Sequence, residues 1–178
     1  GHDFRVGKFH VGIVWRAHTL TMASTKEMVV ELAMHLTSTD STSGGSTAFV
    51  IGSNLFANYQ PHSTRATVCL YETPGGPPQY HFGSTNVASW ENQRLKVSAR
   101  SSAPPSGATV ADPTNAKILA RRALTRLQDI SNQTVQGSTY LRVQATSSIY
   151  LSRVEDDGRQ VYDCDYDVMR RPSTTGLN

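Results

Sequence analysis

RATVCLYETPGGPPQYHFGSTNVASWENQRLKVSAR, residues 65–100, is the stretch around which the rest of the chain arranges itself. Ala66–Thr73 reads as a strand. Val68 and Leu70 point one way, Cys69 and Tyr71 the other, and both faces are apolar enough for a central position. Leu95, Val97 and Ala99 alternate with Arg94, Lys96, Ser98 and Arg100, the pattern of a half-exposed strand. Between the two strands runs a connection from Pro74 to Asn92 that opens Pro74-Gly75-Gly76-Pro77-Pro78. A plain hairpin closes with about two to five residues, so a connection this long is expected to be functional or mobile. Its aromatic residues, Tyr80, Phe82 and Trp90, suit a protein interface or the pinning of the loop to the body better than stacking on bases.

Upstream, Ser24-Thr25-Lys26-Glu27 has the form of a capping box, and Met28, Leu32 and Leu36 come next at helical spacing with Val29 and Ala33 beside them. The spacing predicts a helix over about 24–37. Ala48–Ile51 is a short strand candidate, and Leu55-Phe56 a second apolar patch before Pro61. Residues 1–21 look unlike the rest of the chain and read as an N-terminal extension or arm, with the main domain spanning 22–171 and a flexible tail over 172–178. Within the arm, Val11, Ile13 and Trp15 alternate with Gly12 and Val14, a pattern able to add to the sheet edge of a neighbour.

Downstream, Asp112-Pro113 begins a second helix with Asp as the N-cap and Pro at the first helical position. Ala116, Leu119, Ala120, Ala123, Leu124 and Leu127 form its buried stripe, and Lys117, Arg121, Arg122 and Arg126 lie outside it. Thr139–Leu151 and Gln160–Met169 are expected to pair as a hairpin around Asp157-Gly158. A two-residue turn would set Leu151 against Cys164, Ile149 against Tyr166 and Ser147 against Val168, bringing the apolar residues onto one face and Asp163, Asp165 and Asp167 onto the other. A three-residue loop would instead set Leu151 against Asp163. The expected fold class is therefore α+β: one domain, with a mainly antiparallel (mixed) sheet packed with two helices.

The chain of 178 residues is long enough for one domain with a real core. Its formal charge is +3, but residues 1–21 carry Arg5, Lys8 and Arg16 against Asp3, a net +2, which leaves only +1 for the rest. A high isoelectric point is thus weak support for nucleic-acid binding. Cys69 and Cys164 both fall in strand-like runs and are expected as buried free thiols. The longest apolar run near the N-terminus, Val11–Trp15, is too short for a membrane span.

No catalytic, phosphate-binding or metal-binding motif is present. Gly75-Gly76 lacks the Gly-Lys-Ser/Thr ending of a phosphate loop. Asp163, Asp165 and Asp167 project in a line along a strand and do not wrap around an ion, and the Gly and distal Glu of a calcium loop are missing. No catalytic residue, cofactor or metal is therefore expected. Charge segregation is the stronger signal. Arg94–Arg126 contains seven bases and one acid, whereas Glu155–Asp167 contains six acids and one base. On opposite sides of a subunit, such patches are complementary between neighbours, and head-to-tail contacts close into rings. On one side, they neutralise each other within the subunit.

Several of these pieces together resemble a known family. A short strand leads into Asn54-Leu55-Phe56 and Pro61; Thr67–Thr73 runs into Gly-Gly-Pro-Pro; LKVSARS (95–101) is followed by the helix ADPTNAKILARRAL (111–124). The chain from about Ser24 to Arg170 resembles the tail terminator or minor capsid proteins of long-tailed bacteriophages, and its most specific piece is Tyr71–Pro78. The resemblance implies a non-enzymatic virion protein at the head-proximal end of the tail, assembled in the host cytoplasm. It implies a homo-oligomer, a hexameric ring, that caps the tail tube, ends its polymerisation and docks to the head connector. DNA would pass through the lumen without sequence-specific binding, and no membrane is involved. The expected interface residues are Pro74, Gly75, Gly76, Pro77, Pro78, Tyr80, Phe82 and Trp90, with Arg121, Arg122 and Arg126 facing Asp163, Asp165 and Asp167 of a neighbour. The alternatives are another head–tail joining protein or a nucleic-acid-binding module on the Arg94–Arg126 face.

Overall fold

The computed structural model describes residues 27–40, 48–76 and 90–171. Ser24 of the expected capping box, the 1–21 arm, Pro77, Pro78, Tyr80, Phe82 and the C-terminal tail lie outside the described residues. The first helix, α1 (Met28–Asp40), begins after Glu27, whose carbonyl accepts from the Glu31 N–H at 3.1 Å. The Glu27 carboxylate accepts from Asn58 Nδ2 at 3.2 Å. The expected stripe is buried: Met28, Val29, Leu32, Ala33 and Leu36 all face the core.

Three strands come next: β1 (Leu55–Ala57), β2 (Thr67–Thr73) and β3 (Glu91–Arg100). Ala48–Ile51 does not form the expected strand; Ile51 makes only an isolated bridge to Leu55. Asn54 explains why. Its side chain accepts from the Val50 N–H at 2.8 Å and donates to the Ala48 carbonyl at 2.8 Å, so the segment is held as a turn.

Helix α2 (Thr114–Gln128) starts one residue later than expected, with Pro113 at the N-cap position but already helical in backbone, φ −76° and ψ −10°, and Asp112 accepting from the Thr114 N–H at 2.9 Å and from its hydroxyl at 2.7 Å. Its stripe of Ala116, Leu119, Ala120, Ala123 and Leu127 is buried, and Leu124 is partly so. The chain then adds β4 (Ser131–Val135), β5 (Ser138–Ala145), β6 (Tyr150–Val154) and β7 (Gln160–Arg171).

The seven strands form one curled mixed sheet ordered β1-β2-β3-β7-β5-β4, with β6 pairing the other part of the same β7 edge as β5. Only β1 and β2 are parallel among these pairs. Both helices pack on one face, over Leu70, Leu95, Val97, Tyr140, Val143, Cys164, Tyr166 and Val168. The protein is therefore a single α+β domain.

Because β1 and β2 are parallel, residues 58–66 must run back along the sheet. They lie over part of its second face. Gln60 donates to the Thr67 hydroxyl at 3.0 Å, and Ala103 N–H to the Thr64 carbonyl at 2.9 Å. Arg100 and Arg159 donate to the carbonyls of Pro61 and Ser63. This cover buries Thr67, Cys69, Ser98 and Arg100, so β3 is less exposed on its polar face than its alternation predicts. Cys69 shares that second face, and Cys164 lies under the helices. Both are free and buried, and burial pushes both thiols up from their ordinary pKa.

The β6–β7 register corrects the sequence-based expectation. Leu151 pairs with Tyr162, not Cys164, and Tyr166 and Val168 pair with Ala145 and Val143 of β5. The turn is the three-residue form: Glu155 N–H donates to the Arg159 carbonyl at 2.8 Å, Gly158 N–H to the Glu155 carbonyl at 2.9 Å, and Gly158 has φ +80°. The expectation assumed that Leu151 must reach the core. Every residue of β6 is exposed, so hydrophobic matching does not set its register. A bulge between Leu151 and Arg153 absorbs the extra residue.

Candidate docking surface

The long β2–β3 connection is held at both of its feet. After Thr73 the chain turns across β3, and the Gly75 backbone lies against Asn92 and Gln93. A Cβ on Gly75 would stand 2.3 Å from the Asn92 carbonyl oxygen. Only glycine fits such an approach. Gly76, one residue later, has ordinary clearance. At the returning foot, Trp90 is half-buried. Glu91 accepts from Arg170 Nε at 3.3 Å.

That second contact belongs to an interior network. Arg170 Nη1 donates to Glu31 Oε2 at 2.9 Å, Tyr140 to the same oxygen at 2.6 Å, and Ser138 to Glu31 Oε1 at 2.6 Å. Glu31, Arg170, Tyr140 and Ser138 are all buried. The group joins α1, β5, β7 and the start of β3. Burial, then the Glu31 carboxylate, holds the Tyr140 hydroxyl well above its usual pKa, so it stays a donor. Burial pulls the Arg170 guanidinium down, but Tyr140, Glu31 and Glu91 more than offset this and its pKa is raised. A carboxylate at helical spacing inside the stripe of Met28 and Leu32 was the one sequence signal for this network. Its partner, 139 residues away, gave none.

Beside the loop lies a polar trough on the sheet face opposite the helices. One part, of about 270 Å³, runs past Gly76, Asn92, Arg142 and Met169. A second, of about 600 Å³, runs past Thr73, Pro74, Lys96, Thr146 and Asp165. Arg94 and Asp167 line both. The trough floor is a cross-strand ladder in which Arg94, Lys96 and Ser98 stand opposite Asp167, Asp165 and Asp163. Arg94 lies 3.5 Å from Asp167 and Lys96 lies 3.8 Å from Asp163. Ser98 donates to Asp163 at 2.7 Å, and Tyr150 to Asp165 at 3.2 Å. Among the described residues, no group of three or more His, Cys, Asp or Glu side chains is placed to hold a metal ion. Nor is any described helix long and apolar enough to cross a membrane.

The three aspartates alternate with Tyr162, Cys164, Tyr166 and Val168, which pack under the helices. They therefore lie on the sheet face opposite α2. On α2, Arg121 is exposed. Arg122 pairs with the buried carboxylate of Asp40 and sits 5.5 Å from the centre of the Phe49 ring. Arg126 is half-buried near His35, whose pKa is lowered by burial and then by Arg126, with Asp129 opposing. Arg94, Lys96, Arg100 and Arg122 each have an acidic partner within the chain. Four of the seven bases of the Arg94–Arg126 run are thus ion-paired inside the subunit, which weakens the case for a free nucleic-acid face.

No protein-family model matches this chain. No curated protein matches it by sequence. Among solved structures, a chain from the virion of a native gene transfer agent (GTA) particle is similar over 82% of this chain and 98% of its own, with a TM-score of 0.49 and 13% sequence identity. A likeness of this size assigns neither family nor role.

Proposed function

We propose that this protein is a structural virion component, a tail terminator whose copies form a hexameric ring. The ring caps the tail tube, ends its polymerisation and docks to the head connector, with DNA passing through its lumen. The observation that carries this reading is the β2–β3 loop. It is long and rich in aromatics and prolines, yet both feet are fixed to the rigid sheet, by the Gly75 approach and by the Glu91–Arg170 contact. A long connection whose two feet are fixed to the sheet suits a docking element. Pro74, Gly75, Gly76, Pro77, Pro78, Tyr80, Phe82 and Trp90 would meet the tube, the connector or the adjacent subunit. The sequence resemblance to tail terminators supports the same reading.

Subunit contacts would bring the outer side of α2 against the trough face of the next copy. Asp163, nearly fully buried by Ser98 and Lys96, is spent within its own subunit. With Arg122 held by the buried Asp40, the accessible members of the proposed pairing are the exposed Arg121 and the half-buried Arg126, against Asp165 and Asp167, which stay partly exposed beside Tyr150 and Arg94. Exposed pairs contribute about 0–1 kcal/mol each and so set register more than affinity.

Mass in solution and electron microscopy of particles test the reading. A six-fold ring with a central hole at the head end of the tail is the expected result. A strict monomer at high concentration and in the presence of tail tubes overturns it. A ring found elsewhere in the particle would point to another head–tail joining protein.

A further inference from the structure

β6 is an edge strand with exposed apolar side chains. Leu151 (51% exposed) and Val154 (52%) stand on the helix side of the sheet, opposite Tyr162 and Gln160, and Tyr150 (40%) on the other face, opposite Asp163. Among the described residues the strand pairs with β7 on one edge only. The other described sheet edges offer less. β1 has three residues, and β4 is Ser-Asn-Gln-Thr-Val, mostly polar. Exposed β-edges carrying apolar side chains invite a further strand, and native proteins usually cover or charge them.

The chain supplies a segment of matching form. Val11-Gly12-Ile13-Val14-Trp15 is five residues long, as is Tyr150–Val154, and its Val, Ile and Trp fall on one side of an extended backbone. Residues 16–26 separate it from Glu27. Extended at about 3.3–3.6 Å per residue, these reach at most about 40 Å. That is about the diameter of a domain of this size. The exit point also matters. Glu27 bonds Asn58, just after β1, at the start of the sheet order, whereas β6 lies beyond β7. A chain leaving at the β1 edge and filling a β6 edge links two different surfaces of the subunit, the first sheet edge of one copy and the β6 edge beyond β7 of the next, a head-to-tail contact.

We propose that Val11–Trp15 of one copy adds as a strand to the open edge of β6 in the neighbouring copy, covering Leu151 and Val154. Of the acids of the adjoining turn, Glu155 is engaged by Arg100 and Arg153 and Asp157 by Arg159, which leaves Asp156 exposed at the tip, outside the strand itself. Along β6 the contact is therefore mainly backbone and apolar, and it persists in high salt. It refines the ring reading without depending on ring size.

Two full-length chains, Ile13→Cys and Leu151→Cys, are mixed and treated with a mild disulfide-forming oxidant such as diamide. Cys69 and Cys164 are buried and stay out of the reaction. The expected product is a mixed disulfide dimer, unchanged by high salt and at least about tenfold above that of Ile13→Cys with Val50→Cys, because docking raises effective concentration. Val50 is a half-exposed apolar control away from β6. A yield equal to the control overturns the proposal. So does a crosslink that forms only within a chain carrying both cysteines. Six-fold rings from a Val11→Asp/Ile13→Asp chain would sink the arm and leave the terminator reading standing; a monomer with the mixed disulfide still formed on concentration would do the reverse.

Discussion

Gly75 and Asn92 touch backbone to backbone, so closely that a single methyl on Gly75 would fall 2.3 Å from the Asn92 carbonyl oxygen and 2.7 Å from the Gln93 Cα. The direction in which the long loop leaves β2 is set by this contact. Both opposing atoms are backbone atoms of a central strand, so neither can swing aside. Gly75→Ala is expected to lose about 1–3 kcal/mol by overpacking and to displace the loop. Gly76→Ala, with its nearest neighbour at 3.7 Å, should cost less than 1 kcal/mol. Urea denaturation of the two variants, with particle assembly as a second readout, separates stability from docking. Equal behaviour of the two would refute the anchoring role.

The Glu31–Arg170 pair predicts a different pattern. Arg170→Met leaves a buried carboxylate without its cation and should cost about 3–5 kcal/mol. Glu31→Leu leaves the guanidinium with Glu91 alone, at 3.3 Å, and should cost less than Arg170→Met. The double variant should lose clearly less than the sum, because it removes both charges together. Additive losses in a double-mutant cycle would show that the two residues do not act as a unit.

Gly52 and Gly158 have nearly the same positive φ, +81° and +80°, but different surroundings. A Cβ on Gly52 meets nothing within 4 Å, whereas one on Gly158 would lie 2.2 Å from the Thr109 carbonyl oxygen. Gly52→Ala should cost about 1–2 kcal/mol for the left-handed backbone alone. Gly158→Ala should cost about 1–3 kcal/mol more, from overpacking against the loop before α2. Similar melting temperatures would contradict this close approach.

His35 makes stability depend on pH. Its folded pKa is lowered, chiefly by burial and then by Arg126, with Asp129 in partial opposition. At pH values above the unfolded value of about 6.5, both states carry a neutral imidazole and the group is silent. As pH falls below that value the unfolded chain binds the proton first, so this residue's contribution to stability declines. Denaturation midpoints of the wild type and His35→Gln, compared at pH 8 and pH 5.5, should show a larger drop for the wild type. An equal drop would place the effect elsewhere.

Much of the architecture could be read directly from the chain. Leu32 and Leu36, Ala116 and Leu127, and the alternation through Leu95, Val97 and Ala99 report burial at local spacing, and burial on one side of a helix or strand leaves a periodic trace. Asp112 shows its cap for the same reason: its partner is two residues away. β4 escaped because Ser131–Val135 has almost no apolar alternation. Its turn, Gln136-Gly137, with both residues at positive φ, is the one local sign of it. The β6 register escaped because an exposed strand obeys no core-matching rule.

The loop between β2 and β3, the polar line of Asp163, Asp165 and Asp167 and the burial of each cysteine in its strand can be traced to residues near one another in sequence. The clamps on that loop cannot. Gly75 looks like any turn glycine until β3 is laid against it, and Glu31, Ser138, Tyr140 and Arg170 form a network only when α1 crosses β5 and β7. Long-range polar contacts carry no periodicity. They arise once burial has brought the elements together and every enclosed charge must find a partner.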